Sequence, residues 1–234
     1  MSLPAITRDL VRALRGLRCS APVHTVYNPL EYAAEPHARY LERFGRGPKV
    51  ALFVGMNPGP WGMAQTGVPF GEVHLVRDWL GITGTVAQPR TLHPKRPILG
   101  FACTRSEVSG RRFWGLLRQR FGSAERFFAW GFVHNFCPLL FFTTTGTNVT
   151  PDKLAARDRE PLYAACDRAL RRTAETLGVS LVIGIGGFAH ARAEAATAGL
   201  GVRIARILHP SPASPAANRG WDQAVTRTLD ELGA

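Results

Sequence analysis

Three polar side chains stand directly after apolar segments that are predicted to be strands: Asn57, Asn135 and His209. An asparagine amide can pair with a planar polar ligand or orient a water molecule, and an imidazole can donate a hydrogen bond near neutral pH. None of the three is a carboxylate, which could take a proton from water. The set therefore predicts a site that works by positioning and hydrogen bonding.

Asn57 lies in an unusual loop, residues 54–71, which holds five Gly and three Pro after the apolar run 50–54. Glycine permits positive φ and close backbone approach and proline fixes φ, so the loop is stiff and odd in shape. Its spacing fits neither a Walker loop nor a dinucleotide fingerprint. The alternative is an irregular loop that binds no ligand. Its other side chains predict the lining of a site for a small planar polar ligand: Met56, Trp61, Met63, Gln65, Thr66 and Phe70.

The chain has 234 residues, enough for one domain, and we expect residues 1–234 to form it. Lys and Arg total 29 against 17 acidic residues, a net charge of +12, with Arg spread along the chain. A basic folded surface favours a polyanionic partner, most simply nucleic acid. An Arg-rich genome of high GC content would give the same composition.

Cysteines stand at positions 19, 103, 137 and 166, without a C-x-x-C pair, so no metal site or cofactor is predicted. We expect buried, reduced thiols in a cytoplasmic protein. The start has no signal-peptide core, and no apolar run approaches the roughly 20 residues of a membrane span. We also expect a monomer.

Helical and strand patterns alternate along the chain, which predicts a parallel sheet covered by helices on both faces. In such sheets ligands bind beyond the carboxyl ends of the strands, where Asn57, Asn135 and His209 stand. Ser106 and Glu107 predict a capped helix start, and residues 21–38 a loop followed by a short helix. Residues 84–105 and 143–150 are predicted to be irregular. The predicted strands are 50–54, 127–133, 179–185 and 201–208, and the main helices are 3–17, 72–80, 106–121, 151–177, 188–199 and 215–232.

Long motifs then add a family resemblance. G-M-N-P-G-P-W-G-M-A-Q-T-G-V-P-F-G at 55–71, F-V-H-N-F-C-P-L-L-F at 132–141 and H-P-S-P-A-S-P at 209–215 closely resemble the single-strand-selective monofunctional uracil-DNA glycosylases of the uracil-DNA glycosylase superfamily. Y-N-P-L-E-Y-A, H-P-K-R-P and S-E-V-S-G-R-R-F-W-G extend the likeness over nearly the whole chain, in order. We expect a bacterial member of this family.

The resemblance implies a three-layer α/β/α sandwich with a four-stranded parallel sheet and hydrolysis of the bond between uracil and deoxyribose in DNA. It places the water-positioning residue on Asn57, the stacking aromatic on Phe70, the base-reading amide on Asn135 and the second-motif histidine on His209. Met56, Gly59 and Met63 would complete the base pocket. The expected DNA contacts are Ser211, Pro212, Ala213, Asn218 and Arg219. The likeness departs at Trp61, which replaces Phe, and at Ala213, where vertebrate members carry an Arg that wedges into the duplex, so the strength of duplex opening is left open.

These residues suit the chemistry, because the departing base carries negative charge that a hydrogen bond from His209 would stabilise. Asn135 could accept from uracil N3–H and donate to O4, and small residues at the C5 edge would admit 5-substituted uracils such as 5-hydroxymethyluracil. No lysine stands beside Asn57 or His209, which predicts water as the nucleophile and an intact abasic site. Two alternatives remain: a glycosylase mainly for hypoxanthine or xanthine, and a silent nucleic-acid-binding module of the same fold.

Overall fold

The computed structural model describes residues 2–212 and 217–234. Strands and helices alternate along most of the chain. In chain order the elements are α1 (Leu3–Leu14), β1 (Thr25–Tyr27), α2 (Pro29–Tyr32), α3 (Ala34–Phe44), β2 (Ala51–Gly55), α4 (Met63–Thr66), α5 (Val73–Asp78), α6 (Val108–Phe121), α7 (Ala124–Trp130), β3 (Gly131–Asn135), β4 (Leu140–Phe142), β5 (Asn148–Val149), α8 (Ala156–Leu177), β6 (Leu181–Ile185), α9 (Gly187–Ala196), β7 (Arg203–Ile207) and α10 (Trp221–Glu231).

Four strands form the main sheet, which is parallel throughout, in the order β3-β2-β6-β7. The interior strands β2 and β6 are buried along their whole length, as the continuous apolar runs of a sheet covered on both faces require. Helices α1, α8 and α9 pack together as one group, and α5, α6 and α7 as another. The expected α/β class with a four-stranded parallel sheet is confirmed.

A second, antiparallel sheet in the order β1-β4-β5 was not predicted. Thr25 pairs with Phe142 and Phe142 with Asn148, so the sheet joins residues more than a hundred positions apart. The interpretation of residues 21–38 as loop and short helix missed β1, and that of residues 143–150 as loop missed β5. Strands of two or three residues carry too little periodicity to be recognised in the sequence.

The predicted starts of β3 and α6 are wrong. Phe127 to Trp130 are helical, because Ser123 caps α7 by accepting a hydrogen bond from the Arg126 amide at 3.3 Å, and β3 begins only at Gly131. Helix α6 begins at Val108 without a side-chain cap, so the predicted capping pattern at Ser106 and Glu107 is also wrong. Pro161 lies inside the continuous α8.

Within residues 2–212 and 217–234, no helix has both the length and the apolarity needed to cross a bilayer. In the same ranges, no group of three or more His, Cys, Asp or Glu side chains is placed to hold a metal ion.

Candidate active site

The carboxyl ends of β2 and β3 lie side by side. Gly55 pairs with Asn135, and the chains stay together past the strands because the Cys137 amide donates to the Met56 carbonyl oxygen at 2.9 Å. This pairing brings Asn57 and Asn135, which are far apart in sequence, to the same edge of the sheet.

Gly55 forms the floor on which the base-binding candidates meet. A Cβ atom at this position would lie 2.4 Å from Oδ1 of Asn135 and 2.7 Å from Cε2 of Phe70. Real Cβ atoms do not approach other atoms so closely, so glycine is required here for the amide and the ring to come together. The structure therefore places Phe70 and Asn135 close together above Gly55, and we call this edge of the sheet the candidate cleft.

Asn135 is only 5% exposed, and its Nδ2 donates to Sδ of Met63 at 3.2 Å. A thioether is a weak acceptor, so this contact orients the amide without using its hydrogen-bonding capacity fully. The amide keeps an acceptor and a donor for a bound base. Met63, expected in the pocket, touches the residue that would read the base.

Phe70 is held in an uncommon backbone conformation, with φ of 52° in a non-glycine residue. One face of its ring stacks on Phe113, with centroids 4.6 Å apart and planes inclined by 29°. Trp114 holds the preceding residue by donating from Nε1 to the Pro69 carbonyl oxygen at 3.1 Å. Strain fixed by so many neighbours is typical of functional positions, and the stacking on Phe113 involves only one face of the ring.

His209 follows β7 and lies across the cleft from β2. Its ring centroid is 6.3 Å from that of Phe70. The Ser211 amide donates to Nδ1 at 3.1 Å, so the neutral ring must carry its proton on Nε2. Burial lowers the pKa of the imidazole below its ordinary value. His209 is therefore a neutral ring that presents an N–H donor.

Asn57 is partly exposed, and its Nδ2 donates to the Leu139 carbonyl oxygen at 3.2 Å. This bond fixes the amide so that Oδ1 remains as an acceptor for water. Gly59 and Met56, also expected in the pocket, flank Asn57 in the same loop.

Two predicted ligand contacts are wrong. Gln65 is fully buried and binds only protein: its Nε2 donates to the carbonyl oxygens of Pro60 and Pro97, and its Oε1 accepts from the amides of Leu99 and Gly100. Thr66 is equally buried and donates to the Gly71 carbonyl oxygen at 3.0 Å. Both side chains hold the loop in shape instead of lining a site.

Sequence reasoning missed Glu107. Its carboxyl group lies against the loop of Asn57, since a Cβ on Gly59 would be 1.6 Å from Oε1 and one on Gly62 would be 1.7 Å from Oε2. Oε2 is buried without a hydrogen-bond partner. Burial, with a smaller contribution from the nearby Glu72 carboxylate, raises the pKa of Glu107 to about 7. The only sequence signal was its place directly before a helix, where it formed part of the predicted capping pattern.

The segment after His209 is held by a residue that we did not predict. Arg112 on α6 donates to the Pro210 carbonyl oxygen at 3.0 Å and to Oδ1 of Asn218 at 3.2 Å. Asn218 in turn donates to the Pro212 carbonyl oxygen at 2.8 Å, and Arg219 is exposed. Ala213 lies outside the described residues. DNA contacts by Ser211, Pro212, Asn218 and Arg219 stay predictions.

Comparison with known proteins shows the family to which the chain belongs. Residues 44–232 match the family model of the uracil DNA glycosylase superfamily. Over 222 residues, 94% of this chain, the sequence is 55% identical to the single-strand selective monofunctional uracil-DNA glycosylases of Rattus norvegicus and Bos taurus, covering 80% and 82% of those proteins.

Among solved structures, the fold resembles the crystal structure of wild-type Pedobacter heparinus SMUG2, with a TM-score of 0.67 over 97% of this chain and 98% of that one. At 18% identity this likeness concerns the fold alone. The sequence matches go further, because they cover the strand ends and loops that form the cleft. This chain belongs to the uracil DNA glycosylase superfamily and, within it, to the family of single-strand selective monofunctional uracil-DNA glycosylases.

Proposed function

We propose that this protein is a DNA repair glycosylase that hydrolyses the N-glycosidic bond of uracil in DNA and leaves an abasic site. The observation that carries the proposal is the meeting of Phe70, Asn135 and His209 in one cleft, above Gly55 and beside the loop of Asn57. Each group alone has a structural explanation. Together they offer a stacking face, a base-reading amide and a donor for a departing anion.

The target base must leave the helix stack to enter the cleft, which costs least in single strands and mismatches. Inside, it would stack on the free face of Phe70 and pair with the Asn135 amide through N3–H and O4. Met56, Gly59 and Met63 would close the edge of the pocket near C5. The carboxyl group of Glu107 lies against Gly59, and the family resemblance is what extends the proposal to 5-substituted uracils such as 5-hydroxymethyluracil.

Bond cleavage leaves negative charge on the base and positive charge on the sugar. His209 is suited to the first, because its Nε2–H can donate to uracil O2 while the imidazole stays neutral. The lowered pKa keeps the ring neutral near pH 7, so the donor needs no protonation step. Leaving-group stabilisation is the main contribution that these residues can make to the rate.

Asn57 would hold the attacking water through Oδ1, while its Nδ2 stays on the Leu139 carbonyl oxygen. An amide cannot remove the proton from water, so attack must follow substantial bond breaking, and the proton that the water loses passes to the departing uracil anion or to solvent. The chain has three lysines, at positions 49, 95 and 153, and none follows a strand of the main sheet. Water is therefore the nucleophile in this proposal, and no Schiff base forms.

Base release from oligonucleotides tests the proposal. Single- and double-stranded substrates would carry uracil, 5-hydroxymethyluracil, hypoxanthine or xanthine, with Asn57→Ala as the inactive variant and His74→Ala, an exposed substitution on α5, as the control. We expect release of uracil by the parent protein and His74→Ala, and a rate lower by ~10² or more for Asn57→Ala.

Release of hypoxanthine or xanthine in preference to uracil would assign the protein to another base. Binding without release of any base would make it a silent DNA-binding module. Borohydride added during turnover should trap no covalent adduct, and a trapped adduct would contradict water as the nucleophile.

We also propose a cytoplasmic monomer. The support is chemical: Cys103, Cys137 and Cys166 are free and buried, and burial raises the pKa of the Cys19 thiol to about 11. Such thiols are unreactive and are compatible with a reducing compartment. Light scattering at micromolar concentration would test the monomer.

A further inference from the structure

Two arginine side chains lie against one indole ring beside the cleft. The guanidinium carbon of Arg105 is 4.3 Å from the ring centroid of Trp61, and that of Arg96 is 5.8 Å from it. Arg96 is fixed further, because its Nε donates to the Gly146 carbonyl oxygen at 2.7 Å. Arg105 is exposed and Trp61 partly so. We call Trp61, Arg96 and Arg105 the Trp61 cluster.

The cluster carries two positive charges without a negative one. Within residues 2–212 and 217–234, neither Arg96 nor Arg105 forms an ion pair with a carboxylate. Glu107 follows Arg105 by two residues, but its carboxyl group lies against Gly59 and Gly62 instead. Two like charges near one ring repel each other, and an anion between them would relieve the repulsion. The indole attracts both guanidinium groups and so holds them in place for that anion.

The position of the cluster relates it to the cleft. Trp61 stands two residues before Met63 and four after Asn57, so its Cα is within about 7 Å of the first and about 14 Å of the second. Gln65 ties the segment of Arg96 to the same loop by binding the carbonyl oxygens of Pro60 and Pro97. Leu99, whose amide also binds Gln65, leaves its apolar side chain 52% exposed.

We propose that the Trp61 cluster is a binding site for the phosphodiester backbone of the DNA strand that carries the target base. A site of this kind combines cations that follow a backbone with apolar or aromatic surface for unpaired bases, which Trp61 and Leu99 supply. The ligand is single-stranded DNA next to the extruded nucleotide. The proposal rests on the proposed glycosylase function, because that function brings the strand to the cleft.

The test compares Arg105→Ala and Arg96→Ala with Arg203→Ala. Arg203 begins β7, so its exposed side chain lies at the amino edge of the sheet, away from the cleft, and its loss removes the same charge. Two quantities are measured between 50 and 200 mM salt: the affinity for a uracil-free single-stranded oligonucleotide, by fluorescence anisotropy, and uracil release under single-turnover conditions.

We expect Arg105→Ala to weaken oligonucleotide binding roughly threefold to tenfold at low salt and to lower the slope of log affinity against log salt by about 0.7. The half-saturating concentration of uracil DNA should rise by the same factor while the maximal rate stays unchanged. Arg105→Lys keeps the charge without the planar group and should recover only part of the affinity. Arg203→Ala should match the parent protein in all respects.

Equal effects of Arg105→Ala and Arg203→Ala would overturn the proposal, since the loss would then reflect overall charge. So would a lower maximal rate with unchanged affinity, which would mark Arg105 as a support of the loop. Absence of uracil release by the parent protein would refute the proposed function alone, because the anisotropy measurement tests the Trp61 cluster without any reaction.

Discussion

Met63, Phe70 and Asn135 lie almost wholly inside the protein, with exposed fractions of 2%, 8% and 5%, whereas Asn57 and His209 are partly exposed. We name the first set the base-binding group and the second the hydrolytic pair, after their proposed roles. The base-binding group contacts the core through Phe113 and Gly55. Each member of the hydrolytic pair is held by one hydrogen bond to the backbone. The residues proposed for recognition thus belong to the core, and those proposed for the chemistry lie nearer the surface.

The comparison predicts that Phe70→Ala lowers stability more than His209→Ala does, and that the main effect of His209→Ala is on the rate of uracil release. Phe70→Ala removes a buried ring and should lower the free energy of unfolding by ~3–5 kcal/mol. His209→Ala removes one hydrogen bond, worth ~1 kcal/mol, yet should lower the rate of uracil release by ~10² to 10³. Urea unfolding and single-turnover release measure the two quantities.

Phe70→Leu serves as the matched control, because it restores most of the buried volume without the flat stacking face. It should regain much of the lost stability but little of the lost rate. If Phe70→Ala left the unfolding free energy unchanged, the division between a core-built group and a surface pair would be wrong.

The meeting of Asn57, Asn135 and His209 at one edge of the sheet could be predicted from the sequence for one physical reason. Asn57, Asn135 and His209 follow apolar runs, and parallel strands bring their carboxyl ends to one edge whatever their separation along the chain. The wrong predictions concerned residues whose structure depends on contacts with distant parts of the chain, and no local pattern contains these contacts. Gln65 was assigned to a ligand because nothing local shows that residues 97–100 will occupy its amide.

Helix α7, whose residues from Phe127 on were predicted to be a strand, also shows that contacts outside the local pattern decide the structure. Its aromatic residues favour a strand locally, but the Ser123 cap and the packing of the rings into the core decide for a helix. The small β1-β4-β5 sheet depends on pairing between residues 25–27 and 140–142, which the sequence does not reveal. Local patterns therefore predicted the edge where the site lies, and long-range contacts decided which side chains remain free there.

Glu107 departs from the division between a buried base-binding group and a partly exposed hydrolytic pair. It is a buried group that lies beneath the exposed side of the cleft. Its folded-state pKa of about 7 is raised above the ordinary value of 4.5, so the folded protein binds a proton that the unfolded chain loses as pH rises from 4.5 to 7. Stability therefore falls over this window, by up to about 3 kcal/mol. Glu107→Gln, neutral at every pH, should escape this loss.

Urea unfolding of both proteins at pH 5 and pH 8 measures the effect. The variant should gain stability over the parent protein on going from pH 5 to pH 8. Glu72, whose carboxylate caps α5 by accepting from the Leu75 amide, is present in both proteins. A difference that is the same at the two pH values would show that Glu107 is ionised throughout.

Arg112→Ala should have the smallest effect and tests how the segment after His209 is held. It removes a partly buried bond to the Pro210 carbonyl oxygen and an exposed bond to Asn218, so the free energy of unfolding should fall by no more than about 1 kcal/mol. The rate of uracil release should nevertheless fall severalfold, because misplacing the His209 donor slightly weakens its bond to the departing base. Arg111→Ala, which removes the same charge from the adjacent exposed position of α6, is the control. Equal losses of rate in the two variants would mean that Arg112 acts through its charge on DNA. A loss of rate confined to Arg112→Ala, at saturating substrate, would mean that even the exposed side of the cleft depends on a contact made from α6, the helix that also supports Phe70.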